Sequence, residues 1–363
     1  MTVNARLQDE AIDHAIDGRR YSNWVVQRMI AVLNRSDARL SAQLSEALLQ
    51  LEADSFTVER LEGLLTSLRA LNAQAYAQVY EALQEPLQGM ATAEAQWQAA
   101  SLRAALPAPV QAVFPVVAVA PEQAYAAALS RPFQGRLLSG WMAALADDRA
   151  ALIRNAVRAG VVEGRTASEI VRAIRGTRAL GYADGLLDRS RRELATIVNT
   201  ALSHTAQTAR TLAEDANADI VKAVKWSSTL DGRTSPPCRL RDGLQYAPGT
   251  HKPIGHKIPW LQGPGRLHFN CRSVSTLVTK SWEELGIPIE DMPPGTRASM
   301  DGQVPADLTY AQWFARQSAA RQDEIVGPER GRLYRAGKVS FDRFYDDKGR
   351  WLNLAQLLAR TQG

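Results

Sequence analysis

The sequence predicts an α+β protein that is mostly α-helical, with long helices and one small, loop-rich β module near residues 221–278. Three observations predict it. Long stretches rich in Ala, Leu, Gln, Glu and Arg carry apolar residues at helical spacing. One segment, Trp226–Ser273, breaks that pattern with dense Gly and Pro. The residues flanking it, 221–228 and 271–278, are β-branched or alternate in polarity, as paired strands do.

Residues 1–105 read as an N-terminal helical region. Ile12, Ile16, Trp24, Val25, Met29 and Val32 form one apolar stripe. Ser36-Asp37 is a cap signal that predicts a new helix, with Leu40, Leu44, Leu48 and Leu51 as its stripe. Phe56–Glu59 opens another helix, carrying Leu61, Leu64, Leu65, Leu68 and Leu71. Tyr76–Trp97 continues the pattern with a break at Pro86. Residues 106–121 hold four prolines and predict an extended linker.

The third region, 122–280, is expected to be helical around the β module. Glu122–Leu129 reads as a short helix, Pro132–Gly140 as a turn and Trp141–Val161 as a long helix. Thr166 and Glu169 have capping-box spacing ahead of Ile170 and Ile174. Arg191–Ala218 is a further long helix, and its lone His204 reads as a packed or surface residue. Within the module, Asp231-Gly232 and Arg239–Gly243 predict turns. From 281 to 363 the chain reads as a loop-rich, Pro-rich stretch followed by a helix over Tyr310–Glu324, a break at Gly327–Gly331, a short helix over Arg332–Gly337 and a last segment over Phe341–Leu358.

Composition bounds the function. A charge of +5 permits an acidic partner or nucleic acid without requiring either. Two cysteines in 363 residues make no disulfide framework. The first twenty residues lack the apolar core of a signal peptide, and no apolar run is long enough for a membrane span. A cytoplasmic protein, or one assembled in a cytoplasm, is expected.

Chemistry concentrates in 226–273, which holds Cys238, Cys271, His251, His256 and His268. His268 stands three residues before Cys271, a spacing that places an imidazole and a thiolate on one turn around a metal. With Cys238 and either His256 or His251, four ligands for a structural zinc are available; a disulfide and two free, packed cysteines are the other open states. Asp231, Asp242 and Asn270 beside these histidines give the pattern of a metal-dependent nuclease or hydrolase, and Cys with His268 gives that of a nucleophilic pair. Neither has a catalytic spacing, and no catalytic residue is assigned. Arg233, Arg239, Arg241, Arg266 and Arg272 suit either phosphate, as in a non-specific DNA-binding protein, or internal carboxylates and carbonyls.

The order Trp226, Asp231-Gly232-Arg233-Thr234, Cys238, Arg241-Asp242-Gly243, His256, Pro259 and His268-Phe269-Asn270-Cys271-Arg272-Ser273 resembles the phage Mu F-like minor head protein family, also described as the phage head morphogenesis family. The helix containing TIVNTALSHTAQTAR and the segment from Thr309 to Phe344 are similar to the family's flanking regions, so the resemblance covers roughly 120–350. It implies a non-enzymatic minor capsid protein of a tailed bacteriophage virion, associated with the portal protein and major capsid protein near the portal vertex. Head assembly and the packaging or ejection of double-stranded DNA, contacted without sequence specificity, are the implied roles. Some relatives carry a toxin domain after this one, and none is expected in the residues that follow here. Residues 1–105, without a family motif, are the expected element for docking on the portal or for reaching into the head.

Overall fold

The computed structural model describes residues 3–53, 58–287, 296–300, 302–305 and 308–361. Its fold is mostly α-helical with a small antiparallel sheet, the class the sequence predicts. The helices are α1 (Val3–Ala53), α2 (Val58–Ala105), α3 (Ala108–Val113), α4 (Pro121–Ser130), α5 (Leu138–Val162), α6 (Ala167–Arg175) and α7 (Leu187–Ala216). Strand β1 (Val221–Ser227) follows, then α8 (Pro236–Arg241), β2 (Gln245–Tyr246), β3 (Pro253–Ile254) and β4 (Val274–Thr279). A hairpin β5 (Thr296–Ser299) and β6 (Gly302–Pro305) leads to α9 (Tyr310–Ala315), α10 (Ala319–Val326), α11 (Pro328–Arg335) and α12 (Leu354–Thr361). Two compact units share the chain: residues 1–19, 90–128 and 203–363 form one, and 20–89 with 129–202 the other.

In the unit of 20–89 and 129–202, Leu40, Leu44 and Leu48 of α1 and Leu61, Leu65 and Leu68 of α2 pack with Ile153 and Val157 of α5 and Ile170 and Ile174 of α6. The helix start expected at Ser36-Asp37 is absent: α1 runs through it. The Asp37 side chain, only 3% exposed, does not cap. It accepts instead from Arg149 of α5 and from Arg191 of α7 at 3.1 Å. The expected break at Pro86 is likewise absent, and α2 continues past it. Proline removes one N–H and crowds the carbonyl four residues earlier, but Leu83 and Leu87 on either side are buried, and that burial holds the helix together. The part of the Phe56–Glu59 helix start before Val58 lies outside the described residues. Thr166 and Glu169 form the predicted capping box, with both reciprocal bonds made.

In the other unit the Pro-rich stretch is not wholly extended. Ala108–Val113 is helical, because Pro109 falls in its first turn, where a missing N–H leaves no helical bond unmade. The sheet has the order β3-β2-β1-β4, all antiparallel. Paired ends with a long excursion between them are what the sequence predicts for 221–278: Trp226 sits opposite Ser275 and Ser227 opposite Val274. The later turns of α7 lie on β4, where the Gln207 amide donates to Ser275 Oγ at 2.7 Å and Arg210 donates to the Ser275 carbonyl at 3.2 Å. Arg210 also pairs with Glu94 of α2 at 2.7 Å.

The described residues of the C-terminal stretch hold more than the expected loop and helices. They carry the β5–β6 hairpin and an aromatic core of Tyr310, Trp313, Phe314, Phe341, Phe344 and Tyr345, closed by Leu230 from the β1–α8 loop. The single helix expected over Tyr310–Glu324 is two helices, since Ser318 accepts from the Arg321 N–H and starts α10. The short helix expected from Arg332 starts earlier, at Pro328, directly after Gly327. The Pro-rich residues 288–295 lie outside the described residues.

Candidate functional site

The site is built on the excursion between β1 and β4. Two prolines open α8, fixing its first turn and presenting Cys238 inward. The α8 helix ends at Asp242, and Gly243, at φ +82°, turns the chain into β2. The second predicted turn is therefore a helix end over Arg239–Arg241 and a turn only at Asp242-Gly243. Behind these elements, Trp226 of β1 and Tyr246 of β2 pack edge-on against Trp260, with Val224, Cys238 and Cys271 in the same cluster.

Cys238, His268 and Cys271 converge, their ligand atoms within 4.8 Å of one another. The two buried sulfurs are 3.7 Å apart and both cysteines are free. His268 Nε2 lies 3.3 Å from the Cys238 sulfur and 2.7 Å from Ser235 Oγ. Its Nδ1 is 2.9 Å from the Phe269 carbonyl, a partner that can only accept, so Nδ1 carries a proton. Hydrogen bonds from Cys238 and His268 hold the Cys271 thiol well below its ordinary range. The hydrogen bond to Cys271, together with burial, pushes Cys238 up. Burial works against a charged His268, but its contacts with Cys271 and the Phe269 carbonyl outweigh burial and raise it.

The other candidate ligands are elsewhere. His256 bonds the Gln245 carbonyl through Nε2 at 2.8 Å and accepts from the Ile258 N–H through Nδ1 at 3.2 Å, so both of its nitrogens are engaged away from the sulfurs. His251 stacks on Trp260 and lies 3.1 Å from the buried Glu214 carboxylate. His204 is packed, its Nε2 3.1 Å from the Ala128 carbonyl.

The remaining motif residues brace the excursion. Asp231 accepts from the Arg233 and Thr234 N–H groups at 3.0 Å each and from both arms of Arg272 at 2.6 and 2.8 Å. Half-burial raises its pKa, but Arg272 and Thr234 more than reverse this and leave it lowered. Asp242 accepts from the Ser228 N–H at 2.7 Å and the Tyr310 N–H at 2.8 Å, joining the end of β1 to the start of α9. Arg241 donates to the Pro237 and Pro259 carbonyls, and Arg239 to those of Thr234, Gly232 and Ile325. Arg266 reaches the Gln262 carbonyl. These four arginines have internal acceptors, whereas Arg233 is exposed. Gly232 lies in the Asp231 turn, and Asn270, at φ +56°, makes the left-handed turn that brings His268 and Cys271 together.

Sequence reasoning missed two partners. Ser235 is the N-cap residue of α8, but its hydroxyl makes no cap bond and faces His268 instead. Ser-Pro-Pro signals a helix start; nothing local signals that diversion. Tyr310 lies outside the excursion in sequence, yet its hydroxyl donates to the Asp231 carbonyl at 3.0 Å.

Residues 151–276 match the family model described as Phage Mu protein F like protein, a span that contains α6, α7, β1 and every motif residue named above. No curated protein and no solved structure matches the chain. Over residues 151–276, about a third of its length, the chain is similar to phage Mu F-like proteins.

Proposed function

We propose that this chain is a minor structural protein of a tailed-phage head, docked on the portal protein beside the major capsid protein, and that it acts in head assembly and in the packaging or ejection of double-stranded DNA. The match over residues 151–276 carries the reading. The chemistry of the motif supports it: Asp231, Asp242, Arg239, Arg241 and Arg272 join one piece of backbone to another, which is how side chains serve a scaffold. The location is the virion, and no described helix is long and apolar enough to cross a membrane.

Residues 1–105 remain the docking element in this reading, but they are not a detachable arm. Leu7 and Leu102 belong to a core with Ile220, Val221 and Leu277, and Leu40 to Leu68 belong to the core with Ile153. Deleting the region would remove core, so exposed residues test docking better. Trp24, 52% exposed with Arg28 over its ring, and Leu49, 54% exposed, are apolar groups with no packing need to face solvent. Co-expressed with the portal protein, the full chain should co-purify with portal rings, and Trp24→Asp with Leu49→Asp should weaken that by tenfold or more, roughly the loss of a small hot spot. Unchanged co-purification of the double variant would overturn docking through this region.

A further inference from the structure

We infer that Cys238, His268 and Cys271 bind a zinc ion, with the two sulfurs and His268 Nε2 as protein ligands and an oxygen donor at the fourth position. The inference concerns the site's own chemistry and stands or falls independently of the role in the phage head.

Three features carry it. The first is spacing. Zinc bonds of about 2.3 Å to sulfur and about 2.0 Å to nitrogen, at tetrahedral angles, put two sulfurs about 3.8 Å apart and a sulfur and a nitrogen about 3.5 Å apart. The two sulfurs lie 3.7 Å apart, and His268 Nε2 lies 3.3 Å from the Cys238 sulfur. The second is orientation. A zinc-bound imidazole commonly donates its other N–H to a carbonyl or carboxylate, which fixes the tautomer and aims the free nitrogen at the metal. His268 does this through Nδ1 and the Phe269 carbonyl. The third is the use of separate pieces of chain. Cys238 comes from α8, and His268 and Cys271 come from the turn before β4, so one ion would cross-link both ends of an excursion whose own strands, β2 and β3, are two residues each. A long loop with so little regular structure gains from such a link.

The charge balances as well. Two thiolates neutralise a divalent cation, so the complex adds no net charge to a site where both cysteines are buried. Binding releases to solvent the two protons that the Cys–His–Cys group holds beyond the one on His268 Nδ1, and no electron moves. Ser235 Oγ, partly buried and 2.7 Å from His268 Nε2, is the protein oxygen at hand for the fourth position, with a water as the alternative.

The test uses the full chain purified without chelator or affinity metal. Elemental analysis should find about one zinc per chain. Replacement by Co(II) should give the intense sulfur-to-cobalt charge-transfer absorption of thiolate ligation. Cys271→Ser and His268→Ala should each lose metal, and His256→Ala should keep it. If the ligand variants fail to fold, the wild-type chain still decides: a thiol reagent should label neither cysteine before a strong chelator is added and both afterwards. A folded, metal-free chain that takes up no Co(II), a Cys238–Cys271 disulfide, or loss of metal from His256→Ala as complete as from Cys271→Ser would each overturn the inference.

Discussion

Glu94 shows how single residues are held in this protein. It is 2% exposed and lies between Arg210 at 2.7 Å and His14 at 3.0 Å, with the Gln98 amide also donating to it. Burial alone would raise its pKa, but these partners outweigh burial and lower it from 4.5 to about 2. A carboxyl lowered by folding adds stability that is complete above its unfolded value and fades as pH falls through its folded one. Its share is about 3 kcal/mol at neutral pH, at roughly 1.4 kcal/mol for each tenfold change in proton affinity. The wild-type advantage over Glu94→Gln in urea unfolding should thus be constant above about pH 5 and shrink steadily toward about pH 2. An advantage that persists undiminished in acid would contradict this account of Glu94. Asp37 and Arg149, 3% and 1% exposed, are paired so that neither charge is buried alone, and Arg191 adds a second donor to the same carboxylate.

Among elements, the close contact of α5 with α6 tests packing directly. A methyl group on Gly160 would come within 2.5 Å of Ile170 Cγ1 and 2.8 Å of its Cδ1, so the β-branched side chain or the helix that carries it must shift. Alanine normally favours a helix over glycine by about 1 kcal/mol. Here Gly160→Ala should instead destabilise by about 1–3 kcal/mol, read as a lower urea midpoint at unchanged slope. A stabilised variant would mean that the two helices are less close. The C-terminal elements make a second test. Trp313 and Phe314 are 1% and 0% exposed and anchor the aromatic core there. Replacing both with Ala should cost about 3–5 kcal/mol for each ring and lower Tm markedly, and an unchanged Tm would contradict their role as anchors.

The same elements show what sequence could and could not convey. Helical stripes such as Leu40-Leu44-Leu48 were legible because period follows from backbone geometry. The capping box was legible because its two halves, Thr166 and Glu169, lie within one turn of each other. Asp37 and Pro86 misled because a cap signal and a break signal are local, while the partners that override them come from α5, α7 and the packed leucines. Ser318, by contrast, is a local cap signal that the fold uses.

For the molecule as a whole, the motif spacing carried the resemblance that the match over residues 151–276 repeats, and the paired ends of the β module. It could not choose among His251, His256 and His268 as partners of the cysteines, because all three lie in one excursion whose closure depends on where α8 places Cys238. Nor could spacing show that Asp242 and Asp231 reach forward to Tyr310, which makes the C-terminal core part of the same construction as the motif. The central claim, a structural role in the phage head, concerns the intact particle. It is tested most directly by quantitative mass spectrometry of nuclease-treated heads purified from a lysate of the phage that encodes this chain. The account predicts that the chain is present in every preparation, far below the major capsid protein in copy number and enriched with the portal. Its absence from heads, with the chain recovered only in the soluble fraction, would contradict it.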